Sequence, residues 1–247
     1  MTTAFDHTLA FVLVVVAPLN AWRDGRRLVR AVESGDDLAR IRPYRMTVIA
    51  AWTLTLTVLI WWRIAGRPFD AMGVIWPVGG AALITVALCL AALMFFALQI
   101  RSVLTSAAAR ASVRAQLSAS RGVEAIVPER ARELRVFAAL GLTAGICEEV
   151  LYRGYLVWYL SALLPTSAAL MAAVAIFGLG NVYQGVRGVL LTAAVGGLEL
   201  AIYLWTGSLV APIVLHATMD LANGYIGYRA RQPEPVDATP APGDVGS

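Results

Sequence analysis

Two glutamates and an arginine, Glu148, Glu149 and Arg153, stand in the stretch "CEEVLYR" between "VFAALGLTAGI" and "GYLVWYLSALL". Adjacent carboxylates can divide acid–base work between them when their surroundings differ. Glu149 and Arg153 are four apart with the acid first, so they can pair on one helical face, and that neutralises one carboxylate. Glu148 points about 100° away around the helix and has no cation near it in sequence, which suits a general base. His216 and Asp220, in "LHATMD", are again four apart and share a helix face. Asn181 in "FGLGNVYQG" and Glu199 in "GGLEL" complete the set of polar groups inside apolar stretches.

The elements that must position these groups are membrane helices. The chain has 247 residues, 59% of them hydrophobic and 15% charged, with a mean hydropathy of +0.69. An ordinary soluble domain is less apolar and more charged. The apolar residues come in blocks at about 6–22, 46–62, 72–100, 136–164, 167–183, 188–206 and 208–227, lengths that suit a ~30 Å hydrocarbon layer. No period-two alternation runs through them, which argues against a membrane β-barrel. The reading is an all-α, polytopic integral membrane bundle of seven transmembrane helices, or eight if a long block splits.

Arginine sets the expected orientation. All 20 basic residues are Arg; seven lie in 23–45 and seven in 101–135. Such segments belong on the cytoplasmic side, which puts the N-terminus outside and the C-terminus in the cytoplasm; the expected location is a bacterial plasma membrane. The same distribution accounts for a pI near 9.4 through topology and the anionic lipid bilayer, with no nucleic-acid partner required. The first apolar block has no basic residues before it, so it reads as an uncleaved anchor. Cys89 and Cys147 fall in different spans and read as packing residues. Residues 1–135 thus form N-terminal transmembrane helices with two Arg-rich loops, 136–227 the chemistry-bearing core, and 228–247 a Pro- and Gly-rich tail whose composition predicts disorder.

A charge at mid-bilayer costs at least ~2.5–3.5 kcal/mol, so Glu148, Glu149 and Arg153 require partners or a polar cavity. At a rise of about 1.5 Å per residue, Glu148 and Glu149 lie roughly 20 Å deep, Glu199 about 16 Å, and His216 and Asp220 about 12–18 Å. Asn181 falls nearer the rim. One polar cavity between helices can hold most of the set. Glu199 is open between lining that cavity and pairing with Arg187.

Glu148-Glu149-x-x-x-Arg153, Phe177-x-x-x-Asn181 followed by "VYQGVRG", and His216-x-x-x-Asp220 after "GSLVAPIVL" resemble the three ordered motifs EExxxR, FxxxH and HxxxN/D of the CPBP intramembrane protease family, also called the CAAX-protease or Abi family. The resemblance covers about 136–227. It implies a helical membrane fold that hydrolyses peptide bonds of membrane-associated peptide or protein substrates, prenylated CAAX-type C-termini among them. Bacterial members are linked to bacteriocin maturation or self-immunity. By the same resemblance Glu148 activates water, Glu149 with Arg153 holds the helix and tunes the site, and His216 and Asp220 bind or polarise the oxyanion. The family implies either a divalent metal, zinc, or a metal-free glutamate mechanism.

The departure is Asn181, which stands at the histidine position of the second motif. An amide neither ligates zinc well nor shuttles a proton, although it can orient a water or donate to an oxyanion. His216, Asp220 and one glutamate still offer three metal ligands. Two functional classes follow: an active peptidase, or a catalytically impaired descendant acting as a binding, immunity or regulatory membrane protein. A proton-coupled transporter is disfavoured, because the polar residues all fall in the C-terminal half and no paired interrupted helices are apparent.

Overall fold

A computed structural model describes residues 2–233. Seven long helical runs coincide with the seven apolar blocks, and no block splits. The first, α1 (Ala4–Glu33), is α-helical to Phe11, passes through a π segment at Val12–Val16, and resumes as Ala17–Glu33. The π segment sits just before Pro18, whose ring removes an interior N–H and crowds the preceding turn. Next come α2 (Ile41–Ile64) and α3 (Gly79–Thr105), then two short helices in the Arg-rich segment, α4 (Ala107–Ser118) and α5 (Arg121–Ile126). Helix α6 runs unbroken over 131–161 and carries a second π segment, Glu149–Leu156. Helices α7 (Thr166–Gly180), α8 (Gly185–Thr206) and α9 (Val210–Arg231) complete the bundle.

Ala4–Glu33, Ile41–Ile64, Gly79–Thr105 and Val182–Thr206 are long and apolar enough to cross a membrane. The third of these is almost wholly uncovered, presenting Leu83, Leu90, Phe95 and Leu98 outward, as a lipid-facing helix does. Several helix ends differ from the apolar blocks, α1 most of all in running to Glu33 rather than 22, and two of the differences have a visible cause. The block expected from 72 becomes helix only at Gly79, because Gly73 adopts φ 72° and Pro77 follows. At the other end α9 continues to Arg231, past the expected tail boundary at 228; Arg231 is held by the Glu129 carboxylate at 2.6 Å and by the carbonyls of Glu124 and Val127. The remainder of the tail, from 234, lies outside the described residues.

Each end of the bundle is tied by ions. At the Arg-rich end the buried Arg40 meets Glu129 at 2.8 Å and Glu133 at 3.7 Å, which fastens the α5–α6 link to the start of α2. Arg130, on the exposed side, holds the Asp37 carboxyl below its ordinary range through a hydrogen bond. At the opposite end Asp6 is fully buried and accepts both prongs of Arg67, at 2.8 and 2.6 Å, together with the Trp61 indole N–H at 3.2 Å. The Arg67 guanidinium also lies 4.3 Å from the Trp158 ring centre, so the N-terminus, the α2–α3 link and the end of α6 are locked together. Exposed His7 joins the same corner through the Tyr159 hydroxyl.

Helices α6 and α9 run antiparallel and approach closely because small residues line the seam. A Cβ on Gly145 would lie 2.6 Å from that of Ala217, and one on Gly141 would lie 3.1 Å from that of Asp220. This seam sets the first and third motifs face to face.

Removing one partner of a buried ion pair leaves the other uncompensated. Asp6→Asn is therefore expected to cost about 3–5 kcal/mol of stability, read as a lower unfolding temperature in detergent. An unchanged unfolding temperature would show that the corner is dispensable.

Candidate active site

The π segment Glu149–Leu156 carries the first motif, and every one of its residues is buried. Such segments widen the helix by one residue per turn and recur at functional sites. Within it Glu149 and Arg153 still meet: Arg153 Nη1 donates to Glu149 Oε1 at 2.8 Å. The same Oε1 is 2.8 Å from His216 Nδ1 on α9. Arg153 Nη2 donates to Glu199 Oε2 on α8 at 2.8 Å and to the Gly196 carbonyl at 3.4 Å.

Phe177 of α7 forms one wall. Its ring centre is 3.8 Å from the guanidinium carbon of Arg153, and its edge meets the His216 ring at 6.1 Å. Gly196 makes that stacking feasible, since a Cβ there would fall 2.5 Å from Phe177 Cδ1 and 3.1 Å from Arg153 Nη2. His216 Nε2 lies 3.7 Å from Asp220 Oδ2. Helices α6 to α9 thus each contribute to one polar knot, with Glu149 0%, Arg153 3%, Glu199 3% and His216 5% exposed. A charge buried to that degree is tolerated only when paired and hydrogen-bonded, and the planar fork of arginine suits two carboxylates at once.

The two glutamates of the motif differ in what they touch. Glu149 is held through Oε1 by two side chains, while its Oε2 is buried without a partner among the described residues. Glu148 is half-buried and engages no hydrogen bond or ion pair among the described residues; His216 and Asp220 are prominent among the charged groups that face it. The helical offset argued from sequence gives this division: one acid is anchored and its neighbour is not.

Asn181 stands apart from the knot. It ends α7, its Nδ2 reaches back to the Phe177 carbonyl at 3.4 Å, and its Oδ1 accepts from Gln184 Nε2 at 2.9 Å. It sits at the C-terminal end of α7, outside the hydrogen-bonded knot. Glu199 is the residue the motifs leave out: Arg187 is exposed, and the partner of Glu199 is Arg153. The available signal was energetic, because an acid about 16 Å deep needs a buried cation and Arg153 is the arginine that falls within a span.

Glu149, Glu199 and His216 can each offer an atom within 4.8 Å of the others, the spacing of a loose three-ligand set. The donor set as arranged does not fit a divalent cation. The Arg153 guanidinium already bridges both carboxylates at 2.8 Å, and a second cation beside it would meet like-charge repulsion of several kcal/mol at an effective dielectric near 20. The cation of this cluster is the arginine.

A polytopic helical membrane protein with an acid–histidine–arginine site buried between four helices is thereby defined. Residues 130–222 match the family model described as type II CAAX prenyl endopeptidase Rce1-like. The matched segment spans all three motifs and is similar to that family, in keeping with the resemblance to CPBP intramembrane proteases. No curated protein and no solved structure matches the chain.

If Arg153 and Glu199 form one unit, Arg153→Met and Glu199→Gln should each cost about 3–5 kcal/mol of stability. The double variant should fall short of their sum by about 0.5–3 kcal/mol in a double-mutant cycle. Additive losses would mean that the two side chains are energetically independent.

Proposed function

We propose that this protein is an intramembrane peptidase that cleaves membrane-associated peptide or protein segments with a water activated by Glu148. The observation that supports this assignment most directly is the division of labour between adjacent acids: Glu149 is fixed by Arg153 and His216, and Glu148 beside it has no hydrogen-bond or ion-pair partner among the described residues. A general base has to be free to bond a water, and its neighbour has to be rigid.

In the proposed reaction the water oxygen bonds to the scissile carbonyl carbon as Glu148 takes its proton. Negative charge moves to the carbonyl oxygen, which His216 stabilises, with Asp220 orienting the imidazole. Collapse then breaks the C–N bond, and the proton on Glu148 passes to the leaving amine. Burial strengthens each of these electrostatic contacts relative to water. The substrate end that approaches is set by topology: with the Arg-rich end in the cytoplasm, the rim carrying Asn181 faces the inner surface, and prenylated CAAX-type C-termini are the substrates named in the description of the family.

The test is cleavage of a fluorogenic peptide library by the full chain in liposomes. Wild type is expected to cleave, and Glu148→Gln is expected to be slower by about 10²–10⁴-fold with its unfolding temperature unchanged. Because the donor set does not fit a divalent cation, cleavage is expected to persist in excess chelator. A silent wild type beside an active Asn181→His variant would instead identify a binding or regulatory protein descended from the enzyme.

A further inference from the structure

Helix α1 is longer than a bilayer core requires. Its 30 residues, Ala4–Glu33, rise about 45 Å, against ~30 Å of hydrocarbon and about 40–45 Å once both headgroup layers are included. With the Asp6 corner holding its first turn at the opposite end, the last turns of α1 stand at headgroup level on the Arg-rich side. Trp22 is exposed where this stretch begins, the position an interfacial tryptophan takes.

The two faces of the stretch differ. Gly25 and Leu28 turn inward: Leu28 is buried, and a Cβ on Gly25 would sit 2.4 Å from the Cβ of Tyr183. Arg23, Arg26, Arg27 and Arg30 are all exposed. One acid, Asp24, stands among them, 3.4 Å from Arg27 and 3.9 Å from Arg23. Arg26 lies over the Trp22 ring at 4.9 Å and Arg30 Nε donates to the Arg26 carbonyl at 3.2 Å; neither meets an acid among the described residues. A surplus of guanidinium groups beside an interfacial indole matches a ligand that presents phosphate at that depth, which is an anionic lipid headgroup.

The inner face ties the stretch to the candidate site. The short 3₁₀ turn Val182–Gln184 follows Asn181 and leads into α8. Besides meeting Gly25, this turn is crowded by α5: a Cβ on Gly122 would sit 1.8 Å from the Tyr183 carbonyl oxygen, and the Ser120 hydroxyl donates to the Gln184 carbonyl at 3.0 Å. Two helices outside the matched segment are therefore wedged against the turn with no room for a methyl group.

We propose that the exposed face of α1 from Trp22 to Arg30 binds anionic phospholipid headgroups, and that this binding holds α1 against the turn that follows Asn181. Rotating α1 so that Gly25 leaves Tyr183 would carry the arginines off the lipid, so the two contacts support each other. The surface is independent of the peptidase assignment.

The experiment places the full-length protein in phosphatidylcholine bilayers containing phosphatidylglycerol, with bromine on the chains of one lipid or the other, and compares quenching of tryptophan fluorescence. The part of the quenching lost in Trp22→Phe reports the lipid beside Trp22. Phosphatidylglycerol is expected to be enriched there over phosphatidylcholine by about fivefold or more, fivefold being the share of one arginine at an anionic surface, and less so as salt is raised. Replacing Arg23, Arg26, Arg27 and Arg30 together by Gln should abolish the enrichment. The same change at Arg45, Arg101, Arg132 and Arg135, exposed arginines of the same end, should leave it in place. All three variants should unfold at the wild-type temperature in phosphatidylcholine alone, because exposed charges contribute little to stability. Backbone hydrogen exchange over 181–185 should slow when phosphatidylglycerol is present, in wild type and not in the α1 variant. No enrichment, an enrichment indifferent to salt, or an equal loss in the control variant overturns the lipid surface. Enrichment without slower exchange at the turn overturns the tie between them.

Discussion

A guanidinium at hydrocarbon depth has to find negative charge, and Arg153 finds it twice, on Glu149 of its own helix and on Glu199 of α8. Much of the site follows from that bridge. It fixes the Glu149 carboxylate for His216, it demands Gly196 so that α8 can come close, and it lays the guanidinium on Phe177 so that α7 closes the side. A lysine could neutralise one carboxylate but could not span both in a plane.

The bridge also explains why four helices converge although lipid offers them no hydrophobic reason to associate. Close packing and polar contacts must supply the association instead. The Gly141–Gly145 seam between α6 and α9 provides the first, and the Arg153–Glu149–His216 contacts provide the second. Both sit on the same pair of helices, so packing and chemistry are not separable there.

The amino-acid pattern disclosed the helices, because an apolar block of about 20 residues has few structural options in a membrane. It also disclosed Glu149–Arg153 and His216–Asp220, since residues four apart meet on any helix. It could not disclose contacts made across helices. Sequence leaves Glu199 open between lining the cavity and pairing with Arg187, and only the packing of α8 on α6 gives it Arg153. Asp6 and Arg67 are 61 residues apart, and nothing local to either announces the other. The π segment at Glu149 was equally invisible, because its composition does not distinguish it from ordinary helix.

The wedging of Gly25 and Gly122 against Tyr183 bears on how this architecture can diverge. The stretch that matches the family model, residues 130–222, does not include the helices that brace it. Grafting residues 130–222 onto foreign N-terminal helices would leave the rim turn without its backing. Sequence drift in α1 and α5 is correspondingly constrained at two positions by a neighbour that lies far along the chain, and compensating changes there should be sought in pairs with the turn.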